Sequence, residues 1–238
     1  MSTQPIPPDL KARLKDSYDA IAPQYNKTFT PISDPLRLKY LSTLLAELKP
    51  STNPTSSPQK VLELGCGAGL PITKALLDHP SPTLHLTSND LSSTQITLAR
   101  ENLAAYEEAA RLDLVQGDML ALSFPPSTFT AVLAFYSIIH LPRSEQPLLL
   151  SKIHDWLEPG GLFLANFSAE DMEEGVVDEW LGLEKGWMFW SGWGVEGSVG
   201  MVEKAGFEIL VREVSRDVVD ADFVWVLARK KKEQVEIG

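Results

Sequence analysis

Short apolar runs alternate with longer amphipathic stretches along most of this chain. Runs of four to eight residues bounded by turn formers read as buried strands. Apolar positions three and four apart read as helices. Val61–Leu64, Thr83–Asp90, Leu114–Met119, Phe129–Tyr136 and Leu162–Phe167 are strand-type runs. Helix-type stretches at Ile72–Leu77, Ile96–Leu112 and Leu148–Leu157 separate them, with a Pro159–Gly161 turn before the fifth strand. A helix over Val195–Gly206 and strands at Phe207–Val214 and Phe223–Arg229 complete the pattern. This alternation predicts an α/β fold: a seven-stranded, mostly parallel, doubly wound sheet with helices on both faces and an antiparallel last strand.

Ahead of the first strand, Met1–Asp9 reads as a loose arm. Leu10, Leu14, Tyr18 and Ile21 share one face of a helix over Leu10–Tyr25. Asp34-Pro35 opens a second amphipathic helix reaching Leu48, and Pro50–Gln59 reads as a low-complexity linker. The expected organisation is therefore an N-terminal arm and helical cap over residues 1–50, then a main domain over 51–238. Residues 171–194 of that domain stand out as an insert after strand five, at the sheet edge where ligands bind. This segment carries Trp180, Trp187, Trp190 and Trp193, four of the six tryptophans. So much aromatic surface in a loop-like insert is expected to form a lid over an apolar or aromatic substrate.

A formal net charge of −11 argues against a nucleic-acid partner, because an acidic surface repels phosphate backbones. The basic run Arg229–Lys232 reads as a solvated tail. Cys66 is the single cysteine, which excludes an internal disulfide and a cysteine-based metal cluster. With no long apolar run and no secretory h-region, the expectation is a cytoplasmic protein without membrane partners, acting on a small molecule.

The chemistry centres on Val61-Leu-Glu-Leu-Gly-Cys-Gly-Ala-Gly-Leu-Pro71: strand, glycine turn and helix start. Such a turn brings bare backbone and a helix N-terminus up to a ligand. A dinucleotide fingerprint needs a glycine at position 70, where Leu70 stands, so a nicotinamide enzyme is disfavoured. Glu63 followed by Gly65, Gly67 and Gly69 resembles motif I of the class I S-adenosylmethionine (SAM) dependent methyltransferases. Asp90 ends the second strand, 21 residues past Gly69, the spacing at which an acid meets a ribose diol. Asp90-Leu-Ser-Ser-Thr-Gln95 resembles that family's second motif, and Gly117-Asp118-Met119 its adenine-binding turn.

The resemblance covers Tyr18 to Arg229 and implies SAM as cofactor, with S-adenosylhomocysteine as product and no metal. Gly65, Cys66, Gly67, Gly69 and Glu63 belong to the implied cofactor turn. Asp90, Leu91 and Gln95 are implied at the ribose; Gly117, Asp118 and Met119 at the adenine. The fourth strand reads into Ser137–Arg143, which resembles motif IV and its exit loop, and Ala134 and Phe135 near the end of that strand are implied at the cofactor. Tyr18-Asp-Ala-Ile-Ala-Pro-Gln-Tyr25 is similar to the segment that closes over the cofactor in small-molecule members; by residue pattern alone, Tyr18 and Tyr25 could equally be core. Thr130 replaces a frequent aspartate at the entry to strand four.

The implied reaction is in-line transfer of a methyl group to an O, N or S atom of a small, apolar or aromatic molecule. His140 is the candidate base or substrate orienter, since an unperturbed imidazole titrates near neutral pH; its other reading is a turn-capping histidine. Tyr136 is a weaker candidate. The N/D-P-P-Y motif of nucleic-acid enzymes is missing, and Ala134–His140 lacks the acid that a metal-dependent catechol enzyme needs. The alternatives are a SAM-binding protein of the same fold that transfers no methyl, and a protein methyltransferase.

Overall fold

The computed structural model describes residues 6–30, 34–49, 58–217 and 221–231. The first five residues of the expected arm, most of the linker and Lys232 of the basic run lie outside them. In chain order the helices are α1 (Leu10–Phe29), α2 (Pro35–Glu47), α3 (Ile72–Leu77), α4 (Ser93–Glu108), α5 (Gln146–Trp156) and α6 (Gly194–Lys204). The strands are β1 (Gln59–Leu64), β2 (Leu84–Asp90), β3 (Leu112–Gln116), β4 (Phe129–Ala134), β5 (Leu157–Ser168), β6 (Asp171–Val177), β7 (Met188–Trp193), β8 (Phe207–Arg216) and β9 (Asp222–Lys230).

Seven strands form one sheet in the order β3-β2-β1-β4-β5-β9-β8. The pairs from β3 through β5 are parallel, and β9 runs antiparallel to both β5 and β8. This is the expected fold class. Central strands bury both faces, and side-chain alternation divides them between two cores. Leu62, Leu64, Val132 and Ala134 join Leu149, Ile153 and Val202 of α5 and α6. Val61, Ala131 and Leu133 join Tyr40, Leu44, Ile72 and Leu103 of α2, α3 and α4. The strand order reverses direction between β1 and β4, which opens a crevice at their carboxyl ends.

Three local readings change. Helix α4 starts at Ser93, not Ile96, because the Ser92 hydroxyl caps it by accepting from Gln95 N–H at 3.1 Å. Pro159-Gly-Gly161 is an irregularity within β5 rather than a turn before it. The insert is not loop-like: β6 and β7 pair as an antiparallel hairpin, with Gly175 opposite Trp190 and Val177 opposite Met188. Aromatic and β-branched residues favour such cross-strand pairing. This hairpin meets α1, whose Leu10, Leu14 and Ile21 pack with Trp187, Met188 and Phe189.

Candidate cofactor and acceptor site

The turn after β1 is set by what its glycines allow. Gly65 has φ +81°, and a Cβ there would stand 2.5 Å from Ser137 Cβ. Any side chain would therefore collide with the loop after β4. Gly67 has φ +55°, and a Cβ there would meet nothing within 4 Å, so its bare backbone faces open space. The N–H groups of Gly65 and Cys66 both donate to Asn89 O, at 2.8 and 2.9 Å. Gly67 N–H donates to Asp90 Oδ2 at 2.8 Å, and Ser92 N–H to Oδ1 at 2.8 Å. These bonds aim the Asp90 carboxylate at the turn, and burial pushes its pKa up to about 6.

A cavity of about 90 Å³ opens here. Gly65, Gly67, Asp90, Leu91 and Gln95 line one side; Asp118, Met119 and Phe135 line another. Helix α1 roofs it with Tyr18, Tyr25, Lys11 and Leu14. The cavity is smaller than the roughly 300–1,000 Å³ that small-molecule sites ordinarily span. Of the residues the motifs singled out, Glu63, Cys66, Gly69, Gly117 and Ala134 do not line it. Glu63 lies buried under the turn, where its Oε2 accepts from Thr73 Oγ1 at 2.6 Å and from Ser88 Oγ at 3.3 Å. Burial raises its pKa to about 7. Gly69 packs against Leu103, and Cys66 is buried.

Sequence reasoning missed Lys11 and Leu14, because on a helical wheel they look like surface and core. Lys11 Nζ donates to Asp118 Oδ2 at 2.7 Å and stands 3.0 Å from Glu145 Oε2. Asp19, also on α1, ties the roof to the wall. Its Oδ1 accepts from Ser92 Oγ at 2.5 Å and from Thr94 N–H at 2.9 Å, while Lys15 Nζ donates to Oδ2 at 2.5 Å. Burial alone would raise the Asp19 carboxyl; these donors outweigh it and hold it well below the usual range. Asn26 and Gln95 exchange amide hydrogen bonds at 2.9 and 3.2 Å.

A second cavity, of about 300 Å³, adjoins the first. Tyr18, Tyr25, Tyr136 and His140 line both. Trp180 and Trp190 line the second, edge to face with ring centroids 5.6 Å apart, and Phe29 stacks on Trp180 at 5.6 Å. The other two tryptophans of the insert lie elsewhere. Trp187 covers α1 with Arg13 4.1 Å over its ring, and Trp193 holds Arg143 at 4.7 Å. Alternation along β7 explains part of this separation: Trp190 sits three residues from Trp193 and so faces the opposite side of the ribbon.

Tyr136 occupies the left-handed region at φ +53°, which is strained for an aromatic residue. Asn166 of β5 holds it there, its Oδ1 accepting Tyr136 N–H at 2.7 Å. Four residues on, His140 Nδ1 lies 2.8 Å from Phe189 O, and Nε2 lies 2.8 Å from the Tyr18 hydroxyl. A carbonyl only accepts, so Nδ1 carries the proton and Nε2 accepts from Tyr18 O–H. His140 as a residue is half-buried, but its imidazole is enclosed by Tyr18, Phe189 and Trp190. That enclosure lowers its pKa to about 4. The ring is therefore neutral at pH 7, because burial disfavours the imidazolium. Burial likewise keeps the Tyr18 phenol protonated.

Among the described residues, no cluster of three or more His, Cys, Asp or Glu is placed to hold a metal, and no helix is long and apolar enough to cross a membrane.

Comparison with known proteins agrees with this geometry. Residues 61–161 match a family described as a methyltransferase domain. The ubiquinone/menaquinone biosynthesis C-methyltransferase UbiE of Methylobacterium nodulans is 30% identical over 169 residues, spanning 70% of this chain and 64% of the relative. Sterol 24-C-methyltransferase ERG6B of Gibberella zeae is 28% identical over 179 residues, 71% of this chain and 45% of that protein. The chain thus spans about half to two thirds of the length of these relatives. In fold it is similar to the 1,6-didemethyltoxoflavin-N1-methyltransferase of Burkholderia thailandensis, with a TM-score of 0.73, 16% identity and coverage of 98% and 93% of the two chains. Residues 61–161 thus carry a methyltransferase domain, and the sheet has the Rossmann-like fold of the class I S-adenosylmethionine-dependent methyltransferases, which this chain resembles in its motifs.

Proposed function

We propose that the chain binds SAM in the first cavity and transfers its methyl group to a small apolar or aromatic acceptor in the second. The observation that carries this reading is the shared wall of Tyr18, Tyr25, Tyr136 and His140, which sets the two spaces side by side. The cofactor's fit is supported by the open face of Gly67 and the Asp90 carboxylate beside it. Asp90 would accept from the ribose hydroxyls, and Asp118, with Met119 beside it, from the adenine amino group once Lys11 yields Oδ2. When bound, SAM supplies a methyl group made electrophilic by its sulfonium.

The chain's own part is to position, to exclude water and to hold one polar group at the junction. Trp180, Trp190, Phe29 and Tyr25 give the acceptor an apolar bed. His140 fixes the Tyr18 hydroxyl through its Nε2 lone pair, so Tyr18 presents oxygen lone pairs at the boundary of the two cavities. A neutral imidazole with pKa near 4 is a weak resting base, so this site suits an acceptor that is already nucleophilic: a phenolate, a neutral amine or an activated carbon. The relatives named above are C-methyltransferases of quinone and sterol biosynthesis, which supports an apolar acceptor.

The test is incubation with methyl-labelled SAM and a panel of aromatic acceptors, read by mass spectrometry. A gain of one labelled methyl on a small molecule is the expected result. Binding of SAM with no transfer across the panel would favour the non-methylating reading; label on added peptides would favour a protein substrate.

A further inference from the structure

The second cavity is mostly aromatic, yet a buried cation stands in its wall. Arg37, three residues past the cap of α2, is 8% exposed. Among the described residues lining this cavity it is the one permanent cation. Its guanidinium lies 4.5 Å over the Tyr136 ring, and the Tyr25 hydroxyl accepts a hydrogen bond from it. Asp34 Oδ2 stands 3.3 Å from Nε. The other oxygen of Asp34 is taken by the N–H groups of Leu36 and Arg37 that it caps, each at 3.0 Å.

A guanidinium offers five N–H donors in a planar fork. Asp34 approaches it at Nε, and that buried N–H still has no hydrogen-bond partner among the described residues. Glu170 is exposed, and Asp217 lies by the Tyr136 hydroxyl. An ion pair needed only to close α2 gains little from burial, since desolvation offsets it. What burial adds is a strong, directional donor set inside an apolar pocket, the usual way in which such pockets orient a ligand.

We propose that Arg37 anchors the acceptor through an anionic oxygen, so that the substrate class is a flat aromatic acid: a ring bearing a carboxylate or phenolate. The ring lies among Trp180, Trp190 and Phe29, and the anionic oxygen meets the Arg37 fork. This rests on the second cavity being the acceptor site, but its test needs no methyl transfer.

Naphthalene-2-carboxylate and its neutral isostere naphthalene-2-carboxamide are titrated into the full chain, following tryptophan fluorescence. The carboxylate is expected to bind at least ~10-fold more tightly than the amide. In Arg37→Gln that preference falls to near unity, while the amide's affinity stays within about threefold. Equal binding of the two probes to the wild type would overturn the proposal, as would no carboxylate binding at millimolar concentration. A preference that survives in Arg37→Gln, or a stronger preference for naphthalen-2-ylmethanamine, would overturn it in favour of the rim acids. The wild-type comparison stands whether or not the variant folds. Binding of S-adenosylhomocysteine, measured separately, reports on the methyltransferase reading alone.

Discussion

The Tyr18 hydroxyl lies 2.8 Å from His140 Nε2, across 122 residues of sequence, and it is the donor in that bond. The direction follows from the opposite side of the ring, where Nδ1 faces the Phe189 carbonyl. The same two contacts that orient the histidine also desolvate it. His140 is therefore expected to remain the neutral Nδ1–H tautomer down to pH of about 4. Nitrogen-15 NMR of labelled protein reads both the tautomer and the midpoint. A midpoint near 6.5 would mean that the ring is open to water and able to act as an ordinary base.

Asp90 makes cofactor binding depend on pH in a stated direction. Burial raises its pKa to about 6, so below that pH the carboxyl is neutral and loses its second acceptor oxygen. Affinity for S-adenosylhomocysteine is expected to fall as pH drops through 6, approaching tenfold per unit. Calorimetry between pH 5 and 8 measures it. In Asp90→Asn the pH dependence should flatten and the affinity at pH 7.5 should be lower.

Glu63 costs stability at neutral pH. Its folded pKa of about 7 lies above the ordinary 4.5, so the folded state holds its proton more tightly than the unfolded chain. That contribution is complete below pH 4.5 and is lost as pH rises through 7. At about 1.36 kcal/mol per pH unit the swing is of order 3 kcal/mol. Glu63→Gln keeps an acceptor for Thr73 and is expected to exceed the wild type in stability at pH 8, with the gain gone by pH 5. Urea denaturation at the two pH values checks this.

How much of this was legible in the sequence differs by scale. The sheet class and the places of Gly67 and Asp90 at the cavity could be read because they depend on local pattern, period, turn chemistry and spacing, whereas Asp118 was reached only through the family resemblance, since a Gly-Asp pair alone reads as a turn. Lys11 could not, since only the docking of α1 against Asp118 and Glu145 gives it a role. The hairpin was hidden by composition. Tryptophans and glycines between Trp180 and Trp193 look like loop, although Met188-Phe-Trp190 carries strand propensity and pairs with Gly175–Val177. Cys66 and Gly69 belong to a recognisable motif yet face the core, because a motif records which residues a turn requires and not which of them touch a ligand.

The four tryptophans of the insert divide into two pairs with different consequences. Trp180→Ala and Trp190→Ala are expected to weaken binding of an aromatic probe such as naphthalene-2-carboxamide by roughly tenfold or more each. Trp187→Ala and Trp193→Ala should leave that affinity within about twofold. Trp187→Ala should instead lower thermal stability, having lost its place over α1. Isothermal titration and differential scanning calorimetry separate the two effects.

Asp19 is expected to act on the cofactor without touching it. Asp19→Ala removes the acceptor that holds Ser92 and Thr94 to α1, a loss of about 1–2 kcal/mol by analogy with helix caps. The roof over the first cavity loosens, so S-adenosylhomocysteine should dissociate faster and the melting temperature should fall. Stopped-flow fluorescence measures the rate. An unchanged dissociation rate would show that the helix does not hold the cofactor in.

The most direct test of the account is calorimetric titration of the wild type and of Asp90→Ala with SAM and with S-adenosylhomocysteine. Micromolar binding of both to the wild type, at one site per chain, is expected, with at least ~10-fold weaker binding to the variant. Absence of binding to the wild type, or undiminished binding to Asp90→Ala, would contradict it.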